Sequence, residues 1–205
     1  MNLLAVDTTG EALSLALKAG DRTFSFHKVL AKPHDETLLP QIEKLLSRAG
    51  LEVADLDAIA AASGPGRFTG IRIGMAYAAV AASRMRVPAL AITRLEAAAY
   101  KASGGRVCAV VGGYREESYH QTFRRRGGLF VPAAEPVWAD PAQWARARAE
   151  LEREGVEIVQ GDTAAADLLI PAALRLKARK LPRFEPLYLK PAGYESKRDT
   201  TRPVR

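Results

Sequence analysis

Two stretches of the sequence combine residue types that could hold a nucleotide. In the first stretch, Asp7 ends an apolar run and is followed by Thr8, Thr9 and a glycine. A carboxylate beside such a turn can hold Mg²⁺ through water, and the N–H groups of the turn can face phosphates. The alternative is that Asp7 only fixes the turn through an Asx-type hydrogen bond. The sequence leaves both possibilities open.

The second stretch, Ser63 to Gly74, lies between a predicted buried strand and a predicted helix. A glycine turn at that place can aim backbone N–H groups at an anion, so Gly64 and Gly66 are candidate phosphate-binding residues. However, the stretch has neither the Gly-Lys-Ser/Thr ending of a P-loop nor the spacing of a dinucleotide fingerprint. It therefore either cradles a phosphate or only turns the chain sharply onto a helix.

Residue patterns for other kinds of catalysis are missing from the sequence. His34 has no second histidine one helical turn away, and His27 and His120 fall in separate predicted strands. This spacing does not suit a metal site. Ser63 does not lie in a Gly-x-Ser-x-Gly elbow, and no histidine is near it in the sequence. The sequence therefore predicts no catalytic residues and no metal ligands in this chain.

Composition narrows the class of protein. The chain has 205 residues, of which 48% are hydrophobic and 26% charged, as in ordinary globular proteins. No apolar run reaches the roughly 20 residues needed to cross a bilayer, and an acid at position 7 argues against a signal peptide. The single cysteine, Cys108, excludes an intrachain disulfide and fits a reducing compartment. We expect a cytoplasmic protein without membrane contact.

The positive charge of the chain is concentrated near its C-terminus. From Arg175 to Arg205 the sequence has ten Lys or Arg and three acids, and this excess equals the net charge of +7 for the whole chain. Such a segment can contact RNA phosphates, or it can be a solvated tail. Direct contact of this tail with RNA is therefore one hypothesis.

Apolar patterns predict an α/β protein made of two related units. Three strands joined by tight turns form a predicted antiparallel meander: Leu3 to Asp7, Ala12 to Leu17 and Thr23 to Val29. After the glycines at 104 and 105, a similar strand, turn and strand pattern begins again. We expect three segments: a first lobe of residues 1–103, a smaller and less regular lobe of residues 104–182, and a basic irregular tail of residues 183–205.

Two predicted helices of the first lobe follow strands and carry apolar faces. The first helix is expected to have Thr37 as its N-cap, with Pro40 in the first turn and Gly50 just beyond its end. The second runs from about Thr69 to Arg84, with small residues at every fourth position: Gly70, Gly74, Ala78 and Ala82. Each helical glycine costs about 1 kcal/mol relative to alanine. We therefore expect the stripe to allow close approach of another backbone, in a helix or a sheet.

Four stretches together resemble the bacterial TsaB (YeaZ) family. They are Val6-Asp7-Thr8-Thr9, His34 to Pro40, Ser63 to Gly74 and Pro186 to Leu189. Members of this family are non-catalytic partner subunits in forming threonylcarbamoyladenosine (t6A) at adenosine 37 of tRNA. The resemblance implies a two-lobed actin-like fold of the ASKHA, ribonuclease H-like type. It covers essentially the whole chain, most strongly residues 1–100.

The resemblance also implies partners and an interface. The partners would be a TsaD-type catalytic subunit, a TsaE-type ATPase in the same complex, and a second copy of the chain when it is alone. The two helices would pack against the same helices of the partner through these residues: Leu38, Leu39, Ile42, Leu45, Gly70, Ile71, Gly74, Met75, Ala78 and Ala82. The chain itself would require no cofactor, although ATP and Mg²⁺ could act at the level of the complex. Contact with tRNA would be indirect or through the basic tail.

The sequence departs from the family pattern at two places. Arg67 stands where the family usually has serine, and the run from Gly112 to Tyr119 lacks the usual Asp and Arg but keeps Glu117. An alternative function is a nucleotide-binding ATPase or phosphotransferase that uses Asp7 and the Gly64–Gly66 turn. A peptidase is disfavoured, because the sequence has no zinc motif, catalytic triad or reactive cysteine.

Overall fold

The computed structural model describes residues 1–29, 33–161, 165–177 and 183–190. The first of its two sheets has the strand order β3-β2-β1-β4-β5. Its strands are β1 Asn2–Asp7, β2 Ala12–Ala19, β3 Arg22–Val29, β4 Ala58–Ala62 and β5 Ala89–Ile92. Strands β1 to β3 are antiparallel, while β4 and β5 run parallel to β1. The predicted meander is therefore confirmed.

The second sheet repeats the beginning of the first in a shorter form. Its strands are β6 Arg106–Gly112, β7 Ser118–Arg126, β8 Leu129–Pro132, β9 Val137–Ala139 and β10 Glu157–Gln160. The strand order is β10-β6-β7-β8, and β9 also pairs with β7. As in the first sheet, the leading strand lies between an antiparallel and a parallel neighbour. Two such related units form the two-lobed, actin-like α/β fold that the sequence predicts.

Five α-helices and two short 3₁₀ turns lie in the described part of the chain. The helices are α1 His34–Ala49, α2 Phe68–Met85, α3 Arg94–Ala99, α4 Pro141–Arg153 and α5 Ala166–Lys177, and the 3₁₀ turns are Val53–Asp55 and Tyr114–Glu116. Capping residues mark several helix ends. Thr93 and Asp140 cap α3 and α4 through reciprocal side-chain bonds, and Gly50 ends α1 with φ of 71°.

The predicted start of α1 is wrong by one helical turn. The helix begins at His34, and the hydroxyl of Thr37 donates to the carbonyl oxygen of Pro33 at 3.0 Å instead of capping the N-terminus. Pro40 therefore lies inside the helix, where it cannot donate to the carbonyl of Glu36. Both residues are exposed, so water can bond that carbonyl.

The two faces of the first sheet are covered by different helices. Helices α1 and α2 cover one face, over a core that includes Leu4, Leu15 and Ile59. Helix α5 covers the other face, where its residues Leu169 and Ala173 pack with alanines of β1 and β4. The prediction that residues up to 182 belong to the second lobe is therefore wrong for α5. That helix is apolar because it returns to the first sheet and is buried there.

The second sheet lies between two other helices. Leu95 and Ala99 of α3 pack with Val107 and Phe123 on one face, and α4 covers the other face through Trp144 and neighbouring apolar residues. Helix α3 leaves β5 of the first sheet and packs on the second, so it connects the two lobes. None of the helices in the described ranges is long and apolar enough to cross a membrane.

Residues 183–190 form an extended segment without helix or strand, as predicted for the start of the tail. The N–H of Leu187 donates to the carbonyl of Ser63 at 2.8 Å, and Phe184 packs against the core beneath α1 and α2. This segment therefore joins the first lobe next to the glycine stretch. The rest of the predicted tail, residues 191–205, lies outside the described residues.

Candidate functional site

The first turn, residues 7–10 after β1, is closed by its own hydrogen bonds. Oδ1 of Asp7 accepts from the N–H of Thr9 at 2.9 Å and from its hydroxyl at 2.6 Å. The hydroxyl of Thr8 donates to the carbonyl of Gly70 at 2.6 Å. Asp7, Thr8 and Thr9 are each at most 2% exposed. Asp7 thus has the turn-fixing role that was the alternative to holding Mg²⁺.

Little space remains beside Asp7. The cavity there measures about 10 Å³, which is close to the volume of a single water probe. The guanidinium of Arg94, a residue only 6% exposed, donates to the carbonyl of Gly161 at 2.7 Å and to that of Pro65 at 3.3 Å. Side chains of the protein therefore occupy the cleft between the two lobes, and this packing disfavours a nucleotide there.

The glycine stretch uses its glycines for close packing. Gly64 has φ of 111°, and a Cβ on Gly66 would lie 2.7 Å from the carbonyl oxygen of Thr9. The N–H of Arg67 donates to that same oxygen at 2.8 Å. Because the first turn lies directly against this loop, the loop mainly starts helix α2, which is the second of the two functions that the sequence allowed.

A larger cleft of about 540 Å³ opens between the first turn and the N-termini of α1 and α2. At its edge, the side chain of Arg67 pairs with Glu11 at 2.7 Å, and both side chains are exposed. His34 also lines it, with Nδ1 3.2 Å from the carbonyl oxygen of Thr8 and Nε2 3.1 Å from that of Glu11. His34 therefore ties α1 to the first turn. No cluster of three potential metal ligands occurs in the described residues.

The stripe of small residues on α2 faces the chain's own sheet. A Cβ on Gly70 would overlap the carbonyl oxygen of Thr8, and one on Gly74 would lie 2.6 Å from the Thr8 hydroxyl. Ala78 and Ala82 are at most 2% exposed. The stripe does allow a close backbone approach, as predicted, but the neighbour is β1 with its turn.

The expectation that these small residues contact a partner subunit is therefore corrected. The large residues of the predicted interface are buried as well, none more than 6% exposed: Leu38, Ile42, Leu45, Ile71 and Met75. Of the ten residues predicted for the interface, Leu39 alone is exposed, at 54%. Most of the predicted interface residues therefore lie inside the core, and only Leu39 and Ile42 also line the groove described next.

Beside the buried stripe, α1 and α2 together form an apolar groove of about 590 Å³, which we call the helix groove. It is lined by these residues: Leu39, Ile42, Glu43, Val53, Ala76, Tyr77, Val80, Ala81, Arg84 and Met85. Val80 is 71% exposed. Tyr77 lies partly buried in the groove, and this burial raises its pKa to about 12. The sequence signal for this face was present, because Ile73, Tyr77 and Val80 follow helical spacing.

The second turn, residues 112–117 after β6, projects into solvent. Arg115 and Glu116 have φ of 54° and 62°, a left-handed conformation that is uncommon for residues other than glycine. Tyr114 is 71% exposed, with the Arg115 guanidinium 5.1 Å from the centre of its ring. These residues lie where the family's usual Asp and Arg are missing.

Glu117 anchors the second turn to the C-terminal segment. Its carboxylate accepts from Nζ of Lys190 at 2.6 and 2.8 Å and from Nε1 of Trp138 at 3.2 Å. The hydrogen bond from Lys190 holds the pKa of Glu117 below its ordinary value. Lys190 therefore serves as the cationic partner of Glu117, while Arg115 stacks on Tyr114.

Comparisons with known proteins agree on one family. The family model described as tRNA N6-adenosine threonylcarbamoyltransferase matches residues 28–174. The tRNA threonylcarbamoyladenosine biosynthesis protein TsaB of Escherichia coli (strain K12) is 32% identical over 130 residues, which are 61% of this chain and 56% of that protein. TsaB of Bacillus subtilis (strain 168) is 30% identical over 146 residues, covering 68% and 64% of the two chains. The chain thus spans about half to two thirds of these curated relatives.

A solved structure matches a larger share of the chain. YeaZ from Pseudomonas aeruginosa superimposes with a TM-score of 0.74 and 27% identity, over 92% of this chain and 99% of that one. The family model covers β4 and β5 of the first sheet and the whole second sheet, and the sequence relatives are named TsaB. The chain therefore belongs to the family that this model describes, and within it to the TsaB (YeaZ) proteins.

Proposed function

We propose that this chain is a non-catalytic partner subunit in the formation of t6A at adenosine 37 of tRNA. In this role it binds and supports the threonylcarbamoyl-transferase subunit. Its membership of the TsaB family and the biosynthetic names of its relatives support the pathway. The exposed helix groove is the observation that carries the partner role.

The helix groove suits a protein partner because α2 is apolar on two sides. Its inner side is buried on the first sheet, while Val80 remains 71% exposed on its outer side and Leu39 of α1 54% exposed beside it. Contiguous apolar surface of this kind marks interaction sites in soluble proteins. Glu43 and Arg84 add charges to its lining, as at the rim of protein interfaces.

A TsaD-type catalytic subunit is the occupant that the comparisons favour. The model matching residues 28–174 is named for the transferase itself, so the transferase shares the fold elements of this chain. Two related chains can pair through equivalent helices about a pseudo-twofold axis, so that α1 and α2 meet their counterparts. A homodimer of the isolated chain would use the same groove and would compete with the transferase.

Nucleotide chemistry is assigned to the complex and not to this chain. The engaged Asp7 and the small space beside it support a chain that needs no cofactor of its own. ATP and Mg²⁺ would act in the complex with a TsaE-type ATPase, in the cytoplasm. The tRNA would be bound indirectly or through the basic tail. Calorimetry of the isolated chain with Mg-ATP is expected to give no binding heat, and micromolar binding lost in Asp7→Ala would favour the alternative ATPase.

The partner role is tested by a charge placed in the helix groove. Val80→Glu leaves the fold intact, because position 80 is exposed. It should weaken pairing with the catalytic subunit at least a hundredfold, since an unpaired carboxylate buried in an apolar interface costs about 3 kcal/mol or more. Sedimentation velocity of the mixed subunits, together with transferase activity, measures the loss.

Ala79→Glu is the matched control for this test. Position 79 is also exposed on α2 but does not line the groove, so this variant should pair like the unmodified chain. Ala78→Glu is unsuitable, because it would place the carboxylate in the core. Unchanged pairing of Val80→Glu would rule out the groove as the transferase contact.

A further inference from the structure

We propose that exposed aromatic and cationic side chains along both lobes bind single-stranded RNA. These residues, called the aromatic track, are Phe68, Arg72, Tyr114, Arg115, Tyr188 and Lys190, together with Trp138, which is half-buried. The proposal rests on the proposed role in tRNA modification in one respect only. That role is the reason for choosing RNA as the ligand over other polyanions. The track uses neither the helix groove nor the residues beyond position 190.

The first part of the track lies on the first lobe. The ring of Phe68 lies 5.2 Å from that of Tyr188, and the guanidinium of Arg72 lies 3.8 Å from the centre of the Phe68 ring. Phe68 is 52% exposed and Tyr188 47% exposed. Two aromatic rings and a cation thus form an open surface at the start of α2.

The middle of the track follows the extended segment across to the second lobe. Exposure alternates along residues 186–190, so Tyr188 and Lys190 lie on the same side, about 7 Å apart along the chain. Nζ of Lys190 lies 5.7 Å from the centre of the Trp138 ring. Lys190 also bonds Glu117, which joins the segment to the second turn.

The far end of the track is the second turn. Tyr114 is the most exposed of the aromatic residues in the track, at 71%, and Arg115 stacks on it. Two consecutive residues, Arg115 and Glu116, hold the left-handed conformation that displays this pair. Such a conformation is uncommon for these residue types and persists where the surrounding structure holds it in place.

Single-stranded RNA is the ligand that this chemistry fits best. Unpaired bases stack on exposed aromatic rings and guanidinium planes, whereas the bases of a duplex are already stacked on each other. Of the three cations of the track, Lys190 is bonded to Glu117 and Arg115 also acts electrostatically on that carboxylate, so charge alone does not explain an affinity. Stacking is therefore expected to supply most of the discrimination between single and double strands.

The test measures fluorescence anisotropy with a labelled 12-nucleotide RNA of mixed sequence and with the corresponding 12-base-pair duplex. The full chain should bind the single strand at least tenfold more tightly than the duplex. Tyr114→Ala should weaken single-strand binding about fivefold or more, because stacking contributes about 1–3 kcal/mol per base. It should leave the salt dependence unchanged. Arg115→Gln should lower the slope of log affinity against log salt by about 0.7.

Two further variants keep the proposal falsifiable. Arg126→Gln removes an exposed charge at the distant end of β7, and an effect equal to that of Arg115→Gln would show only non-specific attraction and overturn the proposal. A chain ending at Lys190 lacks the last basic residues and should retain the preference for the single strand. Loss of that preference on truncation would overturn the proposal in favour of the tail.

The outcome also separates this proposal from the proposed function. If Tyr114→Ala weakens transferase pairing but not RNA binding, the track is a protein contact and the RNA proposal fails. If Val80→Glu abolishes pairing while RNA binding stays, both proposals stand. If Val80→Glu leaves pairing unchanged while the chain still binds RNA, only the proposed partner role is overturned.

Discussion

In each lobe a turn follows the leading strand, and the two turns differ in burial and in backbone conformation. In the first turn, Asp7, Thr8 and Thr9 are buried and bonded to each other or to α2. In the second turn, Tyr114 is 71% exposed and its two successors are left-handed. The same strand–turn–strand pattern therefore supports a closed turn in one lobe and a displayed turn in the other.

The comparison shows that a sequence pattern of an acid, hydroxyl residues and a glycine can serve packing and need not form a ligand site. In the first turn the polar groups are used by the packing of α2, whose glycines bring its backbone onto Thr8. In the second turn the Glu117 carboxylate is held by Lys190 and Trp138, while the side chains of residues 114–116 reach solvent. In the first turn, residues of types suited to ligand binding therefore serve the packing of α2. The second turn is more accessible, but its residues are less typical of a ligand-binding site.

The largest expected effect comes from disturbing the contact of α2 with the first turn. Gly70→Ala places a methyl group where the carbonyl oxygen of Thr8 lies, and backbone on both sides limits relaxation. We expect the free energy of unfolding to fall by about 3 kcal/mol or more, at the upper end of overpacking effects. Urea denaturation followed by circular dichroism measures it.

Gly105→Ala is the matched control for Gly70→Ala. A Cβ on Gly105 meets nothing within 4 Å, and its φ is not left-handed. This variant should be as stable as the unmodified chain or slightly more stable. Equal effects of the two substitutions would contradict the close contact between α2 and the first turn.

The second effect compares one side chain from each turn. Asp7→Ala leaves the N–H and hydroxyl of buried Thr9 without their acceptor, which should cost about 2 kcal/mol of stability. Tyr114→Ala removes an exposed ring and should change stability by less than about 0.5 kcal/mol. Thermal denaturation of the two variants compares them, and similar losses would mean that the second turn is as structural as the first.

The smallest expected effect is a pH dependence of stability that comes from Glu117 in the second turn. The pKa of Glu117 in the folded chain lies below its ordinary value of 4.5, mainly because Lys190 bonds the carboxylate. The contribution of this pair to stability is therefore complete above pH 4.5 and is lost as the pH falls through the lowered pKa. Urea midpoints measured from pH 6 to pH 3 should fall less in Glu117→Gln than in the unmodified chain. An identical fall would show that the pair contributes nothing.

Local signals in the sequence were sufficient for most elements. Alternating apolar residues predicted the meander, and Gly50 predicted the end of α1. Each of these features depends on residues close to one another in the chain. The start of α1 was missed because Thr37 has the right type for a cap but bonds backwards to Pro33.

Features that depend on contacts between residues far apart in the sequence could not be predicted from local signals. The spacing of Gly70, Gly74, Ala78 and Ala82 predicts a close approach, but it does not say which backbone approaches. That identity is set by β1, more than sixty residues earlier. The short strand β9 was missed, because its three residues are stabilised by pairing with β7 and not by their own pattern.

The return of α5 to the first sheet has a consequence for synthesis and folding. One face of that sheet can be covered by α1 and α2 early, but alanines of β1 and β4 stay uncovered until residues 166–177 arrive. The first lobe therefore cannot complete its fold on the ribosome before nearly the whole second lobe has been made. Fragments ending near residue 103 should expose this apolar face and aggregate, so the two lobes form one cooperative folding unit despite their separate sheets.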